Sequence, residues 1–181
     1  MTEENKKEAN TEQRDLNKSL KVSKFKMRKP KKYKKNHKAD IKHSSIAASR
    51  FINYLMMDGK KSVAEKVFYK CFENIQKETK QEPLAIFDKA ISNASPLLEV
   101  ISKRVGGANY QVPREVRPER KFFLACNWII NSANAKKGKS MTQKLTEEII
   151  AASKNEGSAI KKKQDMHRMA EANRAFAHFA R

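Results

Sequence analysis

The sequence predicts a mainly α protein, a six-helix bundle with a protruding two-stranded β-hairpin, preceded by a basic N-terminal tail that is disordered when free. Three observations predict it. Apolar residues recur at helical spacing from about Ile41 to the chain end. The stretch at about 97–117 breaks that rhythm with strand-like alternation around Gly106-Gly107. The first 40 residues hold too few large apolar side chains to build a core.

The tail, 1–40, has two parts. Glu3, Glu4, Glu8, Glu12 and Asp15 form an acidic leader, and then Leu16 to Ala39 carries eleven Lys or Arg and no acid. Phe25, Met27 and Tyr33 are too scattered to fold it, so it is expected either to follow a nucleic-acid backbone or to remain a solvated charge run. The leader has neither the apolar core of a secretory signal nor the acid-poor composition of a mitochondrial transit peptide.

The helical domain spans 41–181. Ser44 or Ser45 caps a first helix carrying Ile46, Ser49, Arg50, Phe51, Tyr54 and Leu55, an apolar stripe with a basic edge that stops at Asp58-Gly59. Ser62-Val63-Ala64-Glu65 fits a capping box opening a second helix, with Val63, Val67, Cys71 and Ile75 along its buried face. Pro83 opens a third helix with Ile86, Phe87, Ala90, Ile91 and Ala94, ended by Pro96. Pro118 opens a fourth, whose Phe122, Phe123, Cys126, Trp128, Ile129 and Ile130 mark it as the centre of the bundle. Ser140 caps a fifth with Met141, Leu145, Ile149 and Ala152, stopped by Gly157. Ser158 starts a last helix running close to Arg181.

Between the third and fourth helices, Leu97 to Ile101 reads as one strand, closed by Lys103 and Arg104. Gly106 and Gly107 supply the positive φ of a tight reversal. On the return strand Tyr110, Val112 and Val116 alternate with Gln111, Arg114 and Arg117. Pro113 lacks a backbone donor, which suits a two-stranded arm reaching away from the body.

A length of 181 residues allows one domain with a core plus a tail. Forty Lys and Arg against twenty Asp and Glu give a formal charge of +20, so nucleic acid is the first candidate partner. A membrane surface is the second, but no apolar run approaches the ~20 residues that span a bilayer. Cys71 and Cys126 show no CxxC or Cys/His spacing, which points to two buried thiols rather than a disulfide frame or zinc site. Asp58-Gly59-Lys60-Lys61-Ser62 is only superficially like a nucleotide phosphate loop, because a helix and not a strand precedes it. Its lysines either touch a phosphate or face water.

On the last helix Lys161, Lys162, Lys163, Arg168 and Arg174 are set beside Met166, Met169, Ala170, Phe176 and Phe179 on the apolar side. The first three lysines span too broad an arc for one ridge. His167 and His178 lie eleven residues apart with no partner ligand, so packing or phosphate contact is preferred to a metal. No Ser-His-Asp order or close carboxylate pair emerges. The expectation is a non-enzyme with no cofactor and no metal.

Three ordered strings carry a family resemblance. They are Phe51-Ile52-Asn53 through Met57-Asp58-Gly59-Lys60-Lys61-Ser62, then Arg104-Val105-Gly106-Gly107 with Tyr110-Gln111-Val112-Pro113 and Val116-Arg117-Pro118, and finally Lys161-Lys162-Lys163 with His167-Arg168-Met169-Ala170-Glu171-Ala172-Asn173-Arg174-Ala175-Phe176-Ala177-His178. Together they resemble bacterial-type small-subunit ribosomal protein seven over roughly residues 40–180. The resemblance implies a helical bundle with a hairpin. It also implies a primary binder of the 3′ major domain of small-subunit rRNA that helps nucleate head assembly near the exit-site tRNA and the mRNA exit path. The family's C-terminal helix approaches small-subunit ribosomal protein eleven. No membrane and no self-oligomer are implied. The location would be the ribosome of a bacterial cytoplasm, or of a mitochondrial matrix or plastid stroma if the gene is organellar.

Carried over by position, rRNA contacts fall to Lys31, Lys32, Lys34, Lys35, Lys60, Lys61, Lys103, Arg104, Arg114, Arg117, Lys161, Lys162, Lys163 and Arg168. The arm near tRNA and mRNA would be Arg104, Val105, Gly106, Gly107, Tyr110 and Gln111. The chain departs from the family in its ending, Phe179-Ala180-Arg181 in place of Tyr-Arg-Trp, and in its longer lysine-rich N-terminus. A histone-like DNA compactor would share the charge and the arm, and an RNA-modifying enzyme would need a cofactor site the sequence does not offer.

Overall fold

The computed structural model describes residues 37–180, so the tail lysines Lys31, Lys32, Lys34 and Lys35 lie outside the described residues. Asp40, just before the expected start of the domain, is buried. Its carboxylate accepts the backbone N–H groups of Lys42 at 3.2 Å and His43 at 3.1 Å, and the Tyr69 hydroxyl at 2.7 Å. Burial, with the Asp40 hydrogen bond and charge, pushes the Tyr69 hydroxyl up to about 12.

Six α-helices are described, with a hairpin between the third and fourth. Helix α1 is Ile46–Leu55; Ser45 is its cap, accepting the Ala48 N–H at 3.4 Å. Helix α2, Lys61–Thr79, departs from expectation at its start. No side chain caps it, and Ser62 sits inside the first turn while Glu65 pairs with Lys61 at 3.7 Å. Its buried face is also rotated: Ala64, Phe68, Cys71, Phe72 and Ile75 are inside, and Val63 is 54% exposed. The larger aromatic surface decides this. Phe68 and Phe72 join Phe51 of α1 and Phe87 of the next helix in a cluster with ring centroids 4.2–5.7 Å apart, each pair adding about 0.5–1.5 kcal/mol beyond area burial.

Helix α3, Pro83–Ala94, buries the five residues its spacing predicts. Helix α4, Pro118–Ala135, and α5, Met141–Ser153, complete the core, and α5 rather than α4 packs most extensively, on α2, α3 and α4. Ser140 caps α5, accepting from Gln143 N. The stop of α5 is Asn155, at φ 63°, whereas Gly157 forms the entry to α6, Ser158–Ala172. A Cβ on Gly157 would meet Glu148 Oε1 at 3.0 Å.

The last helix does not run to the chain end. Asn173 Nδ2 donates to Met169 O at 2.8 Å, and this competition for a helix carbonyl coincides with tightening into a 3₁₀ helix, Arg174–Ala180.

Strands β1, Leu98–Val105, and β2, Ala108–Glu115, pair antiparallel in an unbroken register from Leu98 opposite Glu115 to Val105 opposite Ala108. Gly106 at φ 58° and Gly107 at φ 94° form the two-residue turn, both with the positive φ a primed turn requires. Val116 N donates to Leu97 O at 3.1 Å, and alternation along the ladder then puts Pro113 in a pair that needs no donor. Strict period two sets Arg114 beside Tyr110 and Val112, correcting its expected place with Gln111. The proximal half of the arm is packed on the body. Glu99, Val112, Pro113 and Val116 are buried where the arm meets the body.

Candidate nucleic-acid interface

The arm's base is organised around one acid. Glu99 stands directly across from Arg114, whose Nη2 donates at 2.6 Å, and Arg120 in the first turn of α4 donates through Nε at 3.3 Å. Burial alone would raise the Glu99 carboxyl, but the two guanidiniums outweigh it and hold it below the usual range. Both arginine side chains stay about half exposed.

Beside this trio lies an aromatic ledge. Arg120 is stacked 5.1 Å over the Phe123 ring and Arg50 of α1 is 4.4 Å over Phe122. Tyr54 packs edge-on against Phe123 at 5.3 Å, and Arg50 donates to its hydroxyl at 3.5 Å. Phe122 and Phe123, read from the sequence as core, are therefore half-buried rings covered by guanidiniums. Sequence reasoning gave no binding role to Arg50, Arg120 or these rings. The available signal was an arginine one helical turn before an aromatic, Arg50 before Tyr54 and Arg120 before Phe123.

The expected contact residues fall into separate groups. Arg104, Gly106, Gly107 and Gln111 are exposed at the distal arm, Val105 and Tyr110 are partly covered, and Arg117 is exposed at the entry to α4. Lys103 Nζ donates to Phe179 O at 2.6 Å, so its ammonium is engaged with the chain end. Lys60 lines a groove shared with Tyr54 of the ledge and with Asn127, Asn131 and Asn134 of α4, and Lys61 follows it as the first residue of α2. Their amides donate to Met57 O and Gly59 O within the α1–α2 turn, which leaves neither for a phosphate cradle. Lys60 is 3.9 Å from Asp58.

On α6, Lys161 and Lys162 are exposed and Arg168 lies 3.8 Å from Asp165. Lys163 is different: it donates to Asn93 O at 2.7 Å, near the end of α3. His167 Nε2 accepts the Leu97 N–H at 3.0 Å, a packing role at the foot of β1. Cys71 and Cys126 are buried free thiols, each pushed up to about 12 chiefly by burial, and so protonated at neutral pH. Among the described residues no helix is long and apolar enough to cross a membrane.

Fixed guanidinium planes over partly buried rings, with flexible lysines around them, suit a folded polyanion: the cations meet phosphates and the guanidinium planes stack on bases. Comparison with known proteins gives the arrangement its family. A family model described as ribosomal protein S7p/S5e matches residues 27–174. The chain belongs to the S7p/S5e family of ribosomal proteins. It is thus a ribosomal protein and not an enzyme. The small ribosomal subunit protein uS7 of Thermotoga maritima is 50% identical over 153 residues, covering 84% of this chain and 99% of that protein. The same figures hold for uS7 of Cytophaga hutchinsonii. That of Thermosipho africanus is 53% identical over 137 residues, 76% of this chain and 88% of that protein. The matched residues 27–174 span the arm and its base.

Proposed function

We propose that this S7p/S5e protein is a structural constituent of the small ribosomal subunit that binds the 3′ major domain of its rRNA directly and helps nucleate assembly of the head. The observation that carries the reading is identity of about half the residues to proteins named for the small subunit. The Glu99-centred arginines and the aromatic ledge beside them supply the chemistry. Two guanidiniums fixed by a buried acid lose little freedom on meeting phosphates, and release of condensed counterions provides much of the affinity. Selectivity then comes from the shape of the RNA and from unpaired bases stacked on exposed flat groups.

In this reading Lys60, Lys61, Lys161, Lys162 and Arg168 are mobile phosphate contacts on the body, joined by Arg114 and Arg117 at the arm's base. Lys31, Lys32, Lys34 and Lys35 extend the contact along the RNA. The arm tip, Arg104 to Gly107 with Gln111, faces the exit-site tRNA and the mRNA exit path, and small-subunit proteins including protein eleven are neighbours. The protein works without self-association, away from membranes, in a bacterial cytoplasm or an organelle of bacterial descent.

Chemical footprinting of small-subunit rRNA tests this. Addition of the protein is expected to protect nucleotides confined to the 3′ major domain; protection spread over all domains, or none, contradicts it.

A further inference from the structure

The arm and the chain end read as independent in sequence, and the structure joins them. Tyr110 on β2 packs against Phe176 and Phe179 of the 3₁₀ helix with centroids 5.3 Å from each, and the two Phe rings lie 13° from parallel. Lys103, paired with Tyr110 in the strand register, donates to the Phe179 carbonyl. One cross-strand pair is thus gripped by one turn of the chain end, through rings on one strand and an ammonium on the other.

No residue of the 3₁₀ helix is fully buried. A groove of about 570 Å³ runs beneath it, lined by Leu97, Pro113, Ala170, Arg174, Ala177 and Ala180. The segment is not packed onto the body along its length as a core helix would be; its hold comes from the two rings and the Lys103 hydrogen bond to the Phe179 carbonyl. A two-stranded ribbon is marginal by itself in water, so the direction of its distal half must come from what it leans on. The base is fixed independently by Glu99 with Arg114 and Arg120, and by His167 under Leu97.

We propose that Arg174–Ala180 is a strap that sets the direction of the arm, with Phe176 and Phe179 as positioning residues and Tyr110 as their seat. With the strap seated, the Gly106-Gly107 turn and Arg104 are presented at a fixed place relative to the bundle. With it released, the distal arm swings about its base while the bundle stays folded. The mechanical claim concerns the free protein; its consequence for RNA rests on the reading that the arm meets RNA.

Hydrogen exchange on the full-length free protein tests the strap. In a Phe176→Ser/Phe179→Ser variant, amides of residues 102–111 should exchange about tenfold faster or more, with α2 and α5 unchanged. Phe176→Tyr/Phe179→Tyr should restore wild-type exchange. Tyr110→Ala, made from the other side of the contact, should quicken the same amides, and combining it with the serine pair should add little further. Unchanged arm exchange in the serine variant overturns the proposal, and so does faster exchange spread through the whole bundle, which would make the segment part of the core. Footprinting with the same variants separates the two claims. A loosened arm with unaltered rRNA, tRNA and mRNA protection would uphold the strap and refute the RNA role of the arm.

Discussion

Glu148 on α5 accepts the backbone N–H of Ala159, in the first turn of α6, at 3.0 Å, so a buried carboxylate stands at the positive end of that helix. Its other oxygen meets Lys136 at 2.9 Å, just beyond the end of α4. Three helices are tied through this one acid. Replacing it with Ala leaves the Ala159 amide without its acceptor and should cost about 1–3 kcal/mol, whereas Glu148→Gln keeps an acceptor and should cost less. Gly157→Ala should also destabilise, since its Cβ would press on the same carboxylate from a backbone at φ 95°. Denaturant titration of the three variants checks the order; an Ala variant as stable as wild type would show that the carboxylate is not a tie.

The acid at the arm's base gives a pH signature. Glu99 lies below its ordinary value of 4.5, so its contribution to stability is complete above that value and is lost as pH falls through the lower folded value. The stability difference between wild type and Glu99→Gln should therefore be present near neutral pH and shrink in acid below 4.5. Melting curves across that range measure it. A difference independent of pH would mean that the ionised form is not what the arginines hold.

His167 should report the seating of the arm. Burial first, then the nearby Lys163, lower its imidazole below the ordinary 6.5, and Nε2 must be unprotonated to accept from Leu97. The sign follows: this contact is at full strength above 6.5 and weakens as pH falls below that value toward the folded one. NMR titration should show the His167 ring and the Leu97 amide shifting together at a midpoint below 6.5. Independent titration of the two would contradict the contact.

These pairings show what could be read from the chain and what could not. Helix α3 was fully legible, because Ile86, Phe87, Ala90, Ile91 and Ala94 repeat at helical spacing between two prolines. The Gly106-Gly107 reversal was legible because few other residues accept two successive positive φ values. The face of α2 was half legible: Cys71 and Ile75 are buried as read, but Val63 and Val67 are not, since Val67 and Phe68 both fit helical spacing and the choice depended on rings from α1 and α3. Contacts such as Glu99 to Arg120 or Tyr110 to Phe179 join residues with no shared periodicity, so no local pattern announces them. Lys163 and Arg168 look alike as cations in sequence, yet the first is engaged at Asn93 O and the second is exposed.

Arg120 separates charge from shape. Arg120→Lys keeps the positive charge but loses the planar fork that reaches Glu99 and lies over Phe123. Affinity for rRNA should fall about three- to tenfold, corresponding to roughly 1 kcal/mol, while the salt dependence stays that of wild type. Filter binding at several salt concentrations measures both. An unaltered affinity would remove the ledge from the interface.

The most direct measurement is equilibrium binding of the full-length protein to a 3′ major domain fragment of small-subunit rRNA, set against duplex DNA of equal length, across a series of salt concentrations. Neutralisation of about six phosphates predicts that log affinity falls with log salt at a slope near roughly −5. At physiological salt the rRNA fragment should be bound far more tightly than the duplex, because folded RNA offers shape and unpaired bases that regular DNA lacks. Equal affinity for the two would contradict the account, leaving charge alone and no specific rRNA site.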